Sequence, residues 1–295
     1  LPGEKTLRIK ELQSGGDFTF EDVRFLDNTS TNSLGTSTNA DGLGGAIAVS
    51  LPLGSQSSLD IRRCEFDGNA SGGHGGAIGT SRGLFQPLTS LAIEGSQFVG
   101  NSADSGGAVY AIDLGSIVID ESVFEENQAD SGDENSGTAQ GGALFLRPVD
   151  TSLIRIANST FLNNFAWGPG GAIHAEEGPT LIMNGTFADN VSWNGRGNAI
   201  VFRANVGVIR HSTLVGNDNP DRSEDSAIAT RGGASASLGH SIVYTEDLEQ
   251  EAECQTAKGT SLTSIGFNFD TSGTCTSQPT DSSGVDPRLW PLGDY

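Results

Sequence analysis

The chain has 295 residues and a formal net charge of −21, from 16 Lys and Arg against 37 Asp and Glu. That excess repels a phosphate backbone or an anionic bilayer, which argues against nucleic acid as a partner, and no run of 18 or more apolar residues is present to insert in a membrane as a helix. Hydrophobic residues make up only 35% and glycine contributes 41 residues, a balance that disfavours a bulky globular core and fits a thin, elongated one with many tight turns.

Along the chain no apolar pattern of helical period persists beyond two turns, whereas short alternating segments recur. The clearest repeat is Gly-Gly-Ala-aliphatic, at 44–47, 75–78, 106–109, 141–144 and 170–173, with degenerate copies at 197–200 and 225–228. The starts lie 31, 31, 35, 29, 27 and 28 residues apart. A second motif, Phe-x-x-Asn, interleaves with it as Phe25/Asn28, Phe66/Asn69, Phe98/Asn101, Phe124/Asn127, Phe161/Asn164 and Phe187/Asn190, then Leu214/Asn217. Upstream of each Phe stands an aliphatic-x-aliphatic pair and a small residue two places before the ring, as in Leu91, Ile93, Ser96 and Phe98. Cys64 takes the small position before Phe66, which makes it a packing residue rather than a nucleophile.

A unit of three short strands cannot bury its own apolar face, but stacked copies about 4.8 Å apart can. The fold expected is all-β: a single-stranded right-handed parallel β-helix of about eight coils. Residues 1–249 read as the repeats and 250–295 as a C-terminal cap segment continuous with them. The Asn column (Asn28, Asn69, Asn101, Asn127, Asn164, Asn190, Asn217) is expected to form an inward amide ladder from coil to coil. That would bury the N-x-S/T sequons at Asn28, Asn69 and Asn190 and make them accidental. The Gly-Gly pair implies either a positive φ or a close backbone approach at a turn. Cys254 and Cys275 flank a Gly/Ser/Thr-rich segment, and a disulfide closing it would stabilise by about 3 kcal/mol and imply an oxidising compartment.

The interleaved repeats resemble those of chlamydial polymorphic outer-membrane proteins and of bacterial right-handed β-helix repeat surface proteins. The segment from Cys254 through Ser261–Leu262–Thr263–Ser264–Ile265–Gly266–Phe267–Asn268–Phe269–Asp270 to Cys275, followed by Asp286–Pro287–Arg288–Leu289–Trp290–Pro291–Leu292–Gly293–Asp294, is similar to the C-terminal segment of secreted β-helix proteins of the choice-of-anchor and CSLREA-domain type. The resemblance implies secretion or display on a bacterial cell surface, with adhesion or glycan contact, and no shared catalytic residues. Relatives of this kind continue beyond the point matching Tyr295, so the native protein is expected to be longer.

Function on such a fold belongs to outward columns and to loops that widen between coils, because the core is packed. Strand alternation after each Gly-Gly-Ala turns Tyr110, Phe145, His174 and Val201 outward in one column, expected to be exposed. Arg147, Glu176, Arg203 and Arg231 form a second column two residues on. Trp167 and Trp193, each six residues beyond its repeat Phe, should meet on adjacent coils at about 5 Å. They would serve as a sugar-stacking pair with Tyr110 and Phe145 nearby, or as a plain apolar clasp. Asp130, Asp133 and Glu134 in one long insertion are the candidate oxygen ligands for calcium, the one cofactor suggested, against solvated loop acids as the alternative.

The leading expectation is an extracellular, non-catalytic, monomeric protein that contacts a polysaccharide, a host or cell-surface glycan, or a protein. A polysaccharide lyase or glycoside hydrolase acting on an acidic polysaccharide is the alternative. A lyase would use His174 or Arg203 as base and Arg147 to neutralise a uronate, and a hydrolase would need Glu176 and Asp189 to converge.

Overall fold

The computed structural model describes residues 9–12, 16–31, 42–49, 57–80, 90–132, 138–149, 151–219, 226–245, 253–275 and 277–284. Asp133, Glu134 and the terminal motif at 286–294 lie outside them. The described residues contain no helix. Each strand pairs in parallel with its counterpart one coil away, so that Leu91 stands between Leu59 and Ile117, and Phe98 between Phe66 and Phe124. The result is a right-handed parallel β-helix with sheets nine, nine and ten strands deep among the described residues. A fourth sheet of six two-residue strands, such as Ala70–Ser71 and Phe165–Ala166, was not expected, because two residues carry no readable periodicity.

The core repeats as the sequence does. Phe25, Phe66, Phe98, Phe124, Phe161 and Phe187 are fully buried and stack face to face, with ring centroids 4.6–4.9 Å apart. With the aliphatic side chains of the neighbouring strands, this column of near-parallel rings fills the core. Beside them runs the amide ladder. Asn69 Nδ2 donates to Asn101 Oδ1 at 2.9 Å, Asn101 to Asn127 at 2.9 Å, Asn127 to Asn164 at 3.0 Å and Asn164 to Asn190 at 2.9 Å. Asn28 to Asn69 and Asn190 to Asn217 close its ends at 2.8 Å each. The second Nδ2 hydrogen goes to a Phe carbonyl of the preceding coil, as Asn127 to Phe98 at 2.9 Å, and each inner Oδ1 also accepts a backbone N–H, so the buried amides are satisfied.

The small-residue column turns out to have chemistry of its own. Ser96, Ser122, Ser212 and Ser241 accept, through Oγ, the backbone N–H of the equivalent residue one coil before, at 3.0–3.2 Å. Cys64 is buried in this column, and burial raises its thiol pKa.

Both readings of the Gly-Gly pair hold, one for each glycine. Gly75 has φ +70°, in the left-handed region, whereas a Cβ on Gly76 would stand 2.1 Å from the Gly107 carbonyl oxygen of the next coil. Among the described residues the last full coil is built from Cys254–Thr256, Ser261–Ser264 and Phe269–Asp270, which extend the three large sheets, and Ser282–Ser283 adds one more strand to the third. A disulfide joins Cys254 to Cys275.

Candidate anion-binding face

The first sheet, which follows each Gly-Gly turn, carries the candidate site on strands Val109–Leu114, Leu144–Pro148, Ile173–Glu176, Ile200–Arg203 and Ile228–Arg231. Its inward positions, among them Leu144/Leu146 and Ile200/Phe202, are fully buried. The outward column of Tyr110, Phe145, His174 and Val201 is in register as expected, but it is not exposed. Phe145 is 6% accessible, His174 1% and Val201 0%, and Tyr110 is half-buried.

The cover comes from the segment before each Gly-Gly turn, which folds back over the sheet. Pro169 O lies 3.4 Å from His174 Nδ1, and a Cβ on Gly197 would meet Val201 Cγ2. Alternation predicts which side of a strand a residue takes, not whether another segment lies on that side. The column is a ring ladder, with Tyr110 to Phe145 at 4.9 Å, Phe145 to His174 at 5.3 Å, and His74 stacked on Tyr110 at 4.3 Å.

Two residues on, the charged column is assembled. Glu176 pairs in register with Arg203, and Arg203 with Arg231. Glu176 is 6% accessible and accepts from Arg203 at 2.5 Å. His174 Nε2 lies 3.2 Å from the same oxygen, and Arg147 approaches the other oxygen at 3.7 Å. Burial pushes the Glu176 carboxyl up, but the hydrogen bonds and charges of His174 and Arg203 together outweigh it and hold the group at about 2. Glu176 is therefore a fixed anion that spaces guanidinium groups.

Arg231 is different. Partly buried, its guanidinium has no hydrogen bond or ion pair among the described residues. Burial, then the charges of Arg196 and Arg203, push its pKa below the usual arginine range. Arg196 was not anticipated as part of the site, because it lies in the irregular Trp193–Gly197 turn and outside the strand repeat.

Trp167 and Trp193 do meet on adjacent coils, with centroids 5.6 Å apart, but at 70° they are edge to face rather than stacked. Both are half-buried, and Trp167 packs on Ala129, Ala139 and Ala166. Asp189 is exposed at the corner after the third-sheet strand Thr186–Ala188, whereas Glu176 ends a first-sheet strand, so the two carboxyl groups sit on different sheets. Of the acids suggested for calcium, only Asp130 is described, and it accepts from Gly132 N at 2.8 Å.

Over 170 residues, 52% of the chain, the sequence is 30% identical to the probable autotransporter YfaL of Escherichia coli (strain K12), of whose length it spans 12%. No family model and no solved structure matches the chain. The fold and this partial similarity fit a β-helix repeat protein.

Proposed function

We propose that the chain is part of a secreted or surface-displayed bacterial β-helix protein whose outer face holds an anionic glycan without cleaving it, through Arg147, Arg203 and Arg231. The observation that carries this reading is Arg231. In a chain with 16 basic residues against 37 acidic ones, it is held half out of water among like charges and without a partner among the described residues. A carboxylate or sulfate would relieve that arrangement by bidentate hydrogen bonding. The column repeats once per coil, about 4.8 Å, so a polymer bearing acids along its length would meet Arg203 and Arg231 on adjacent coils, with Arg147 beyond the Glu176 rung. The half-buried Trp167–Trp193 pair lies one turn before the sheet, where an indole face would meet the apolar side of a sugar. Display at the cell surface is supported by the similarity to a probable autotransporter.

The test is a panel of uronate-bearing, sulfated and neutral polysaccharides assayed for binding and depolymerisation on one preparation. Binding to acidic members without new unsaturated or reducing ends supports the reading. Turnover would favour the lyase or hydrolase alternative, although His174, nominated as its base, is buried and engaged with Glu176.

A further inference from the structure

A second column lies at the corner between the second and third sheets, where every coil places one residue in the left-handed region. Glu121 has φ 50°, Asn158 48°, Asn184 52°, His211 52° and His240 53°. Asn and His tolerate this conformation better than most side chains, and the corner is exposed at Asn158, Asn184, His211 and His240 alike. The coils are tied here by backbone hydrogen bonds from Asn184 to Arg210 at 3.1 Å, from His211 to Gly239 at 3.2 Å and from His240 to Gly266 at 3.0 Å. Asn158, Asn184, His211 and His240 are therefore successive rungs.

Up to Asn184 the column is a polar chain. Asn158 Nδ2 donates to Asp120 Oδ1 at 2.7 Å, and Asn184 Nδ2 to Asn158 Oδ1 at 3.0 Å. Beyond it the chain of hydrogen bonds stops and two imidazoles follow, with ring centroids 5.0 Å apart and planes tilted by 40°. Phe267 covers the far side of His240 at 5.0 Å. Both imidazoles are exposed and tilted rather than stacked, and the edge of each carries its nitrogen donors. Among the described residues no hydrogen bond or ion pair occupies the ring nitrogens of His211 or His240.

We infer that His211 and His240 form a binding site for a borderline divalent transition cation such as Zn²⁺, Ni²⁺ or Cu²⁺, held by one nitrogen from each ring. Imidazole donors select these ions over Ca²⁺ and Mg²⁺, which take oxygen ligands. The Asn184 carbonyl oxygen, one rung before His211 and with its amide hydrogens turned to Asn158, stands next in the column as a third donor. Water completes the coordination. The ion clasps two adjacent coils near the end of the described stack, so binding stabilises them by linkage. The site is independent of the arginine face, which lies on the first sheet.

The experiment is calorimetric titration of the tag-free protein with Zn²⁺ and Ni²⁺, with Ca²⁺ and Mg²⁺ as controls, alongside thermal melts. The variants are His211→Asn, His240→Asn and the pair together, because Asn occupies the same left-handed corner at Asn158 and Asn184 and preserves the fold. One equivalent of Zn²⁺ or Ni²⁺ should bind and raise the melting temperature, with both effects lost in each single variant and no response to Ca²⁺ or Mg²⁺. Absence of binding up to about 1 mM, or binding retained in the double variant, overturns the assignment.

Discussion

Arg203 donates to the buried Glu176 carboxylate at 2.5 Å, and the arginine in register one coil on, Arg231, has no corresponding acid among the described residues. The same column thus holds a closed ion pair and an open cation side by side. Replacing Glu176 with Ala would leave Arg203, Arg147 and Arg231 as neighbouring like charges and leave the His174 Nε2 contact empty. The expected cost is about 2 kcal/mol, below the ~3–5 kcal/mol of a fully buried pair because Arg203 is half in water. Chemical denaturation of the variant measures it. In the parent, the depressed Glu176 pKa contributes stability that is present above pH 4.5 and is lost as pH falls toward about 2.

The amide ladder predicts a steep dependence on position. Asn127→Ala removes the acceptor of the Asn101 backbone N–H and Nδ2, and the donor to Phe98 O and Asn164 Oδ1. Each buried group left without a partner costs about 1–3 kcal/mol, so a loss of about 4 kcal/mol is expected. Asn28→Ala, at the first rung, removes only the Nδ2 donor to Asn69 Oδ1, because the backbone N–H to the same oxygen remains, and should cost at most about half as much. Hydrogen exchange should show protection lost first in the coils flanking residue 127. Equal costs at the two positions would count against the ladder.

Near the disulfide, Glu253 and Asp270 are buried together at 2% and 0% accessibility. Thr271 Oγ1 donates to Glu253, and Ser272 Oγ stands 3.1 Å from an oxygen of each acid. Burial first, then the neighbouring Asp270, raise Glu253 to about 8 from 4.5, so the pair shares a proton at neutral pH. Between pH 4.5 and about 8 the native state keeps a proton that the unfolded state has lost, so stability should fall as pH rises through that window and level off above it. Glu253→Gln should flatten the profile over the same range. An unchanged slope in the variant would assign the dependence elsewhere.

Reduction of Cys254–Cys275 opens a loop of 21 residues separation and should destabilise the last coil by about 3 kcal/mol. A melt with and without reductant reads this directly, and a Cys254→Ala, Cys275→Ala variant should match the reduced protein. The buried Cys64 should remain unmodified by thiol reagents in the folded state.

The stacking frame was legible because its parts recur in fixed order from coil to coil. The Phe rings, the Asn amides and the glycines recur once per coil through most of the chain, with Leu214 replacing one Phe and the Gly-Gly pair degenerate at 197–200 and 225–228, and each has one physical task suited to its residue type. Exposure was the weak point. Tyr110, Phe145 and His174 alternate as outward residues do, yet the turn ending at Pro169 lies over His174. That cover depends on how the chain folds back, which alternation within a strand does not encode. The Trp167–Trp193 contact followed from equal offsets, but its edge-to-face geometry did not. Arg203 and Arg231 shared a predicted column, whereas the difference between them rests on which coil supplies an acid, visible only once the register is known. The His211–His240 pair escaped notice because its column is defined by backbone conformation rather than by a residue motif.

The central claim is that an anionic glycan is held at the arginine column, and the most direct test is equilibrium binding of a uronate-bearing polysaccharide to Arg231→Ala beside the parent. Because Arg231 has no protein partner among the described residues to strand, the substitution should leave the melting temperature unchanged. Binding of the acidic polymer should weaken by about tenfold or more, the worth of one charge-assisted contact, with a neutral polysaccharide unaffected. Undiminished acidic-glycan binding in a folded Arg231→Ala protein would contradict the account.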